Sequence, residues 1–231
     1  MKYFKKYSTD ELAERKYNHL LIGMILLLLV GPLYLRTGLQ FPLMTFIFFT
    51  IVQLALQATI DNKRRLLLYR LIMLVALACA LLSQHVTAPL NDVLYAVGRS
   101  IYIVFLIMTI RLFMGRIIVA EQITADKVKG GICLYFLAGV VWGFLYEVIH
   151  RFDPAAFQIE KADPQMFLYY SYSTLTTLGI GDIIPTSDLA VSLTCLEAIG
   201  GQMFVAVFIA RLIGLHIIHK HNRVGTEKEN E

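Results

Sequence analysis

Residues 174–185 read TLTTLGIGDIIP. Three threonines precede two glycines, Gly179 and Gly181, which are one residue apart, and Asp182 follows the second glycine directly. Apolar stretches lie on both sides of this segment. Glycine adopts a positive φ without a Cβ clash, so it permits backbone that is neither helix nor strand. The segment therefore predicts a short length of irregular backbone between two apolar helices.

The composition of the chain is that of a membrane protein. Of its 231 residues, 57% are hydrophobic and 16% are charged, whereas about 25% are charged in soluble domains. Apolar segments recur near the length of about 20 residues that crosses a hydrocarbon core. These segments are 20–35, 41–59, 66–82, 93–113, 130–149 and 188–218. The predicted fold class is an all-α membrane protein with six transmembrane helices.

A seventh apolar segment, 164–176, is too short to cross the membrane, because a helix of this length measures only about 20 Å. Asp163 is a favourable N-cap and Pro164 a favourable first helical residue. We therefore predict a re-entrant pore helix that ends at the glycines. Its C-terminal end carries partial negative charge, which favours a cation there. Non-helical backbone at this depth is tolerated where it is buried in protein or lines a water-filled path.

The backbone carbonyls of this segment are the predicted ion ligands. With glycine at positions 179 and 181, the carbonyls of Thr177, Leu178, Gly179 and Ile180 are free to turn to the same side. One chain supplies one column of oxygens. Four chains around an axis supply rings of four, which replace the hydration shell of a monovalent cation. The hydroxyl of Thr177 adds a ligand at the inner end.

The pattern T-x-T-T-x-G-x-G-D-x-x-P resembles the selectivity-filter signature of the tetrameric potassium channel family. Residues 130–218 also follow the order of that family's pore domain, which is outer helix, pore helix, filter and inner helix. The run LEAIGGQMFVAVFIARLIG at 196–214 resembles inner helices of small bacterial channels. Gly201, beside Gly200, stands where such helices have a gating hinge. The resemblance implies a homotetrameric channel with K+ as the permeant ion and no cofactor.

The resemblance also implies roles for individual residues. The selectivity filter, the expected K+ site, is formed by Thr177, Leu178, Gly179, Ile180 and Gly181. Filter support is expected from Thr176, Asp182, Tyr169, Tyr170 and Ser173.

Two features depart from the family pattern. Ile180 replaces the usual tyrosine and has no hydroxyl to tether the filter, and Tyr169 with Tyr170 replaces a pair of tryptophans. We expect one of these tyrosines to hydrogen-bond Asp182. Because the ion contacts carbonyls rather than the outward side chain, we expect potassium preference to persist and filter stability to differ.

Three alternative functions stay open at this stage. Ile180 motivates a weakly selective monovalent cation channel, and a pore-like fold also occurs in a non-conducting membrane subunit or sensor. A transporter with a re-entrant loop is disfavoured, because such transporters commonly pair two broken helices and one such element is visible here. No enzyme is predicted, since the sequence shows no Ser/His/Asp constellation, phosphate-binding glycine loop or HExxH motif.

The four-helix domain 20–113 has the layout of a voltage sensor but few arginines. Its fourth span contains Arg99 and Arg111. Each charge that crosses 100 mV supplies only about 2.3 kcal/mol, and strong gating uses three or four per subunit. We therefore expect no strong voltage gating, with Arg99 near the outer interface and Arg111 near the inner one, snorkelling or anchoring the helix.

Lysine and arginine are concentrated in alternate regions outside the spans. They are abundant in the N-terminal segment 1–19, at 63–65, in the linker 114–129 and in the tail 219–231. Because positive residues favour the cytoplasmic side, both termini are expected in the cytoplasm. The expected location is a plasma membrane of bacterial type, with lipid as a partner and no nucleic acid.

Glu197 is a carboxylate well inside the inner helix. An acid within a membrane span is a functional candidate by default. Two roles stay open for it. One is structural hydrogen bonding to the hydroxyls of Ser171, Ser173 or Thr174, and the other is a proton-sensitive element of a gate.

Overall fold

The computed structural model describes residues 16–35, 43–57, 60, 62–83, 85–87, 90–118, 125–159 and 164–229. The α-helices in these ranges are α1 Lys16–Leu35, α2 Leu43–Gln57, α3 Lys63–Ser83, α4 Leu90–Ile118, α5 Ala125–Phe152, α6 Pro164–Leu175 and α7 Asp188–Glu229. Two short strands are β1 Phe157–Gln158 and β2 Ile184–Pro185. The expected N-cap, Asp163, lies outside the described residues.

Four helical stretches among the described residues are long and apolar enough to cross a membrane. They are Lys63–Ser83, Leu90–Gly115, Lys127–Phe152 and Asp188–Arg211. Helices α1 and α2 are not among them, and α2 has 15 residues, about 22 Å, which is less than the thickness of a hydrocarbon core. A mostly helical, multi-pass membrane protein is supported, and the count of six spans stays a prediction.

Three helices extend beyond their predicted limits. Helix α4 ends at Ile118 and α5 begins at Ala125, so both enter the predicted linker 114–129, of which residues 119–124 are not described. Helix α7 continues to Glu229, through most of the predicted tail 219–231. The last proline of the chain is Pro185, so no helix-breaking ring interrupts α7.

Aromatic side chains join α2 to α4 and α4 to α5. Phe49 of α2 stacks on Tyr102 of α4, with 4.1 Å between ring centroids. Phe49 also contacts Phe105 edge-on, and Tyr102 approaches Phe144 of α5. Pairs of this kind contribute about 0.5–1.5 kcal/mol beyond the area that they bury. The cluster holds α4 against α5.

Three glycines of α5 allow close packing against α6 and α7. A methyl group at Gly131 would overlap the ring of Phe208 on α7, and one at Gly139 would overlap Tyr172 on α6. A methyl at Gly143 would lie 3.0 Å from the Cα of Leu168. Sequence analysis did not predict these contacts, because a glycine inside an apolar helix gives no local sign of its neighbour.

The strands β1 and β2 form a small antiparallel pair that links the end of α5 to the chain after the glycines. Phe157 is opposite Pro185, and Gln158 is opposite Ile184. The carbonyl of Ala156 also accepts the N–H of Thr186. Non-helical backbone was predicted between the two helices, but its pairing with a second strand was not. The pairing fixes the outer end of the 174–185 segment.

Candidate functional site

The end of helix α6 is closed by hydrogen bonds from the residues that follow it. The N–H of Thr176 donates to the carbonyl of Tyr172 at 3.0 Å, and the hydroxyl of Thr176 donates to the same oxygen at 2.6 Å. The N–H of Thr177 donates to the carbonyl of Thr174 at 2.9 Å. These bonds satisfy carbonyls that a helix end otherwise leaves without a partner.

Ser173 accepts hydrogen bonds from three consecutive backbone amides of the segment 174–185, here called the glycine segment. Its carbonyl accepts the N–H of Leu178 at 2.8 Å and that of Gly179 at 3.2 Å, and its Oγ accepts the N–H of Ile180 at 3.3 Å. In a trans peptide, the carbonyl of the preceding residue points opposite to the N–H. The carbonyls of Thr177, Leu178 and Gly179 therefore point away from α6.

Alternation of φ along the segment accounts for this common direction. Thr177, Gly179 and Gly181 have positive φ angles of 58°, 56° and 83°, and no other non-glycine residue among those described has a positive φ. Leu178 and Ile180 alternate with them at negative φ. A β-branched residue in this region is uncommon, and the conformation costs about 1–2 kcal/mol. The glycines were predicted to have this geometry, but Thr177 was not.

The two adjacent tyrosines of α6 have different partners. The side chain of Tyr169 is hydrogen-bonded to Asp182 at the outer end of the segment. The hydroxyl of Tyr170 instead lies 2.8 Å from Oγ1 of Thr194 on α7. Tyr169 is therefore linked to the segment, whereas Tyr170 joins α6 to α7.

The inner end of the segment contacts α7 through a side chain that sequence analysis missed. Nε2 of Gln202 lies 3.3 Å from Oγ1 of Thr177 and donates to it. The Thr177 hydroxyl donates its own hydrogen to the carbonyl of Thr176 at 2.6 Å. A hydroxyl oxygen has two lone pairs, so one stays free to face an ion. Nothing in the local sequence distinguishes Gln202 from other polar residues.

Within one chain the glycine segment is uncovered. The apolar side chains of Leu178 and Ile180 are 66% and 56% exposed, and every residue from 176 to 182 is exposed. Helix α7 is similarly open, because only 11% of its most apolar 18-residue stretch is buried within the chain, against 44% for α5. The side of the chain that carries the segment and α7 is therefore not covered by the other described residues.

The glycine pair of α7 lies in continuous helix. Gly201 is buried, and a methyl group there would overlap the carbonyl oxygen of Leu175 at the end of α6. At Gly200 a methyl group would meet nothing within 4 Å in its own chain. Close packing against α6 thus explains Gly201, and a gating hinge at the pair stays a prediction.

Glu197 is fully buried between the outer helix and the pore helix. The hydroxyl of Tyr146 on α5 donates to its Oε2 at 2.6 Å. The Oγ of Ser171 on α6 lies 2.5 Å from its Oε1. Ser171 is one of the three hydroxyls named from the sequence, whereas Tyr146 was not foreseen. Glu197 thus joins α5, α6 and α7 at one point.

Arg99 does not snorkel into solvent but anchors α4 to α5, and its expected position near the outer interface stays a prediction. Its Nη2 donates to Oε1 of Glu147 on α5 at 3.0 Å, and its Nε lies 2.9 Å from Oε2. The two side chains are 12% and 6% exposed, and the guanidinium lies over the ring of Phe144. The fold supplies an acidic partner for Arg99 from α5, which the sequence analysis did not predict.

A second ion pair joins the same two helices near their outer ends. Nη2 of Arg151 lies 2.7 Å from Oδ1 of Asp92, and both side chains are more than a third exposed. Helices α4 and α5 are therefore connected by a buried pair and by an exposed pair.

Comparison with known proteins identifies the region that contains this site. Residues 131–215 match the family model described as "Ion channel". No curated protein and no solved structure matches the chain at a significant level. The matched range covers more than a third of the chain and includes α6, the glycine segment and most of α5 and α7. Residues 131–215 therefore form an ion-channel domain, consistent with the potassium channel family.

Proposed function

We propose that the chain forms a homotetrameric potassium channel that conducts K+ passively through a filter of backbone carbonyls at residues 177–181. The observation that carries this proposal is the binding of three consecutive N–H groups by Ser173. It leaves the carbonyls of Thr177, Leu178 and Gly179 on the opposite side, where they form a column of oxygens. No cofactor is required, because the permeant ion needs only these oxygens.

The electrostatics of the segment favour a cation. Residues 174–187 contain no lysine, arginine or histidine, and Asp182 adds a negative charge at the outer end. Helix α6 ends at Leu175, so the partial negative charge of its C-terminus faces the column. Rings of carbonyl oxygens substitute for the hydration shell of K+. Together these features lower the cost of removing water from a monovalent cation.

Assembly from four copies follows from the incomplete ring. One chain supplies one column, and closed rings of identical chains are the common way to build such a site. The exposed Leu178 and Ile180 side chains and the open α7 surface lie where neighbouring copies would pack. Four candidate spans with this apolar surface support a membrane protein. We propose a plasma membrane of bacterial type, with both termini cytoplasmic, on the basis of the lysine and arginine distribution.

The channel we propose is not strongly gated by voltage. Movement of α4 along the membrane normal would break the Arg99–Glu147 pair, which is largely buried. Removing one partner of a buried pair costs about 3–5 kcal/mol. A single charge that moves through 100 mV supplies only about 2.3 kcal/mol. The field on this charge is therefore too small to displace α4.

The test of the function is a reversal potential under opposing potassium and sodium gradients, measured on purified protein in planar bilayers. We expect a value near the potassium equilibrium potential. Gly179→Ala serves as the blank, because φ at this position is +56° and an L side chain is strained there. Gly115→Ala is the matched control, since a methyl group there meets nothing within 4 Å.

Two other results of this experiment would favour the alternative functions. A reversal potential near zero, with a current that Gly179→Ala abolishes, would establish a weakly selective cation channel. The first explanation to test for the weak selectivity would then be Ile180, which has no hydroxyl to tether the filter. A monomeric protein without current would indicate a non-conducting membrane subunit and would contradict the proposal.

A further inference from the structure

Glu197 is a buried acid without a buried cation. Its side chain is fully buried, and it lies nine residues after the start of α7 at Asp188, about 14 Å along the helix. Among the described residues, no lysine, arginine or histidine pairs with it. Glu147, the other buried glutamate, differs because it is paired with Arg99.

The groups that surround Glu197 are uncharged phenols and a hydroxyl. They come from the two helices that pack against α7 here: Tyr135 and Tyr146 on α5, and Tyr170, Ser171 and Tyr172 on α6. None of these groups supplies a positive charge. An ionised carboxylate here would be compensated only by dipoles.

The contacts of the Ser171 hydroxyl distinguish the protonated form of Glu197 from the ionised form. Its Oγ lies 2.5 Å from Oε1 of Glu197 and 2.8 Å from the carbonyl oxygen of Gly139. A hydroxyl has one hydrogen to donate. If Glu197 were a carboxylate, one of these two short contacts would join lone pairs without a hydrogen between them.

A protonated Glu197 turns every one of these contacts into a hydrogen bond. Oε1–H of the acid donates to Ser171, Ser171 donates to the carbonyl of Gly139, and the hydroxyl of Tyr146 donates to Oε2. The neutral acid also avoids the desolvation of an unpaired charge in the membrane, which costs several kcal/mol. Geometry and charge therefore favour the same form.

We propose that Glu197 is a neutral carboxylic acid at neutral pH and that its proton positions the pore helix. The proton links α7 to Ser171, and through Ser171 to the backbone of α5. Ser171 is two residues before Ser173, which holds the amides of the filter. Loss of the proton to solvent at alkaline pH leaves a repulsive contact at Ser171 and an unpaired charge behind the filter. The effect on conduction rests on the proposed function, whereas the protonation state does not.

Infrared spectroscopy of the purified protein in lipid tests the protonation state. The difference between wild type and Glu197→Gln at neutral pH should contain the C=O stretch of a protonated carboxylic acid. Asp153→Asn, which changes an exposed carboxylate in the same way, should remove carboxylate bands instead. Carboxylate bands in the Glu197→Gln difference would overturn the proposal. If this variant fails to assemble, base titration of the wild type should convert a carboxylic acid band into a carboxylate band, and the absence of such a band would equally overturn it.

The pH dependence of potassium flux into liposomes tests the positioning role. Wild-type flux should fall several-fold between neutral and alkaline pH. Glu197→Gln should keep its flux at both, because an amide N–H replaces the acid hydrogen and does not titrate. Equal losses in the two proteins would contradict the role of this proton. A carboxylic acid band in a protein without any potassium flux would refute the proposed channel function and leave the protonation state intact.

Discussion

Ser173 holds the backbone of the proposed filter through three hydrogen bonds. Its carbonyl holds two amides and its hydroxyl oxygen holds a third. Only the third bond depends on the side chain. A change at Ser173 therefore separates the contribution of the side chain from that of the backbone.

Ser173→Ala should weaken the outer part of the filter and leave the inner part in place. The N–H of Ile180 loses its acceptor, at a cost of about 1 kcal/mol, whereas the amides of Leu178 and Gly179 keep theirs. We expect lower potassium-over-sodium selectivity or faster loss of current, measured in planar bilayers. Ser100→Ala, at an exposed position of α4, should change neither, and unaltered selectivity and time course in Ser173→Ala would contradict this role.

Gly201→Ala should destabilise the protein and Gly200→Ala should not. A methyl group at Gly201 overlaps the carbonyl of Leu175, which is backbone and cannot rotate away. Overpacking of this kind costs about 1–3 kcal/mol. At Gly200 the methyl meets open space within the chain, and alanine favours the helix by about 1 kcal/mol. Thermal denaturation of the two variants in detergent compares them, and equal midpoints would exclude the close approach of α7 to α6.

At the scale of residues, the sequence predicted what local chemistry determines. The two filter glycines and the pore-helix proline are recognisable because their backbone preferences act within a few residues. The positive φ of Thr177 and the contact of Gln202 depend on helices brought together by the fold. The same reason applies to Glu147, whose partner Arg99 is 48 residues away in the chain.

Helices α4 and α5 are the elements that connect the first part of the chain to the ion-channel domain. They share the buried pair Arg99–Glu147 and the exposed pair Arg151–Asp92. The apolar patterns predicted both helices, although their ends were placed several residues too early or too late. Periodicity reports the apolar core of a helix and does not mark where a polar end continues.

Arg99→Gln should destabilise the protein far more than Arg151→Gln. The first change leaves Glu147 buried without its cation, which costs about 3–5 kcal/mol. The second removes an exposed pair, which is worth about 0–1 kcal/mol. The free energy of unfolding of the two variants in detergent provides the comparison, and because the chemical change is identical, each serves as the control for the other. Similar losses would show that the Arg99 pair is not buried in the membrane-embedded protein.

At the scale of the whole molecule, the main feature is the apolar surface that a single chain leaves uncovered. The exposed side chains of Leu178 and Ile180 and the exposed surface of α7 indicate that other chains pack there. They do not determine the number of chains. The proposed number, four, rests on the family resemblance and on the proposed ring of carbonyls around K+. Sequence reasoning reached the channel class because the filter motif is local, whereas the oligomer depends on contacts between chains.

The mass of the purified protein tests the assembly. We expect four times the chain mass of 26.2 kDa by native mass spectrometry in detergent. Gly179→Ala should retain this mass if its effect is confined to the filter, so the variant separates loss of conduction from loss of assembly. A monomer or dimer under conditions that preserve potassium flux would contradict a closed ring of four columns.

The alternation of φ has a stereochemical consequence. Thr177, Gly179 and Gly181 adopt a backbone conformation that is ordinary for amino acids of opposite handedness. The proposed filter thus alternates between positive and negative φ, although all of its chiral residues have the same handedness. Glycine is the one genetically encoded residue without handedness, so any replacement at 179 or 181 carries a backbone penalty in addition to the effects of its size or polarity.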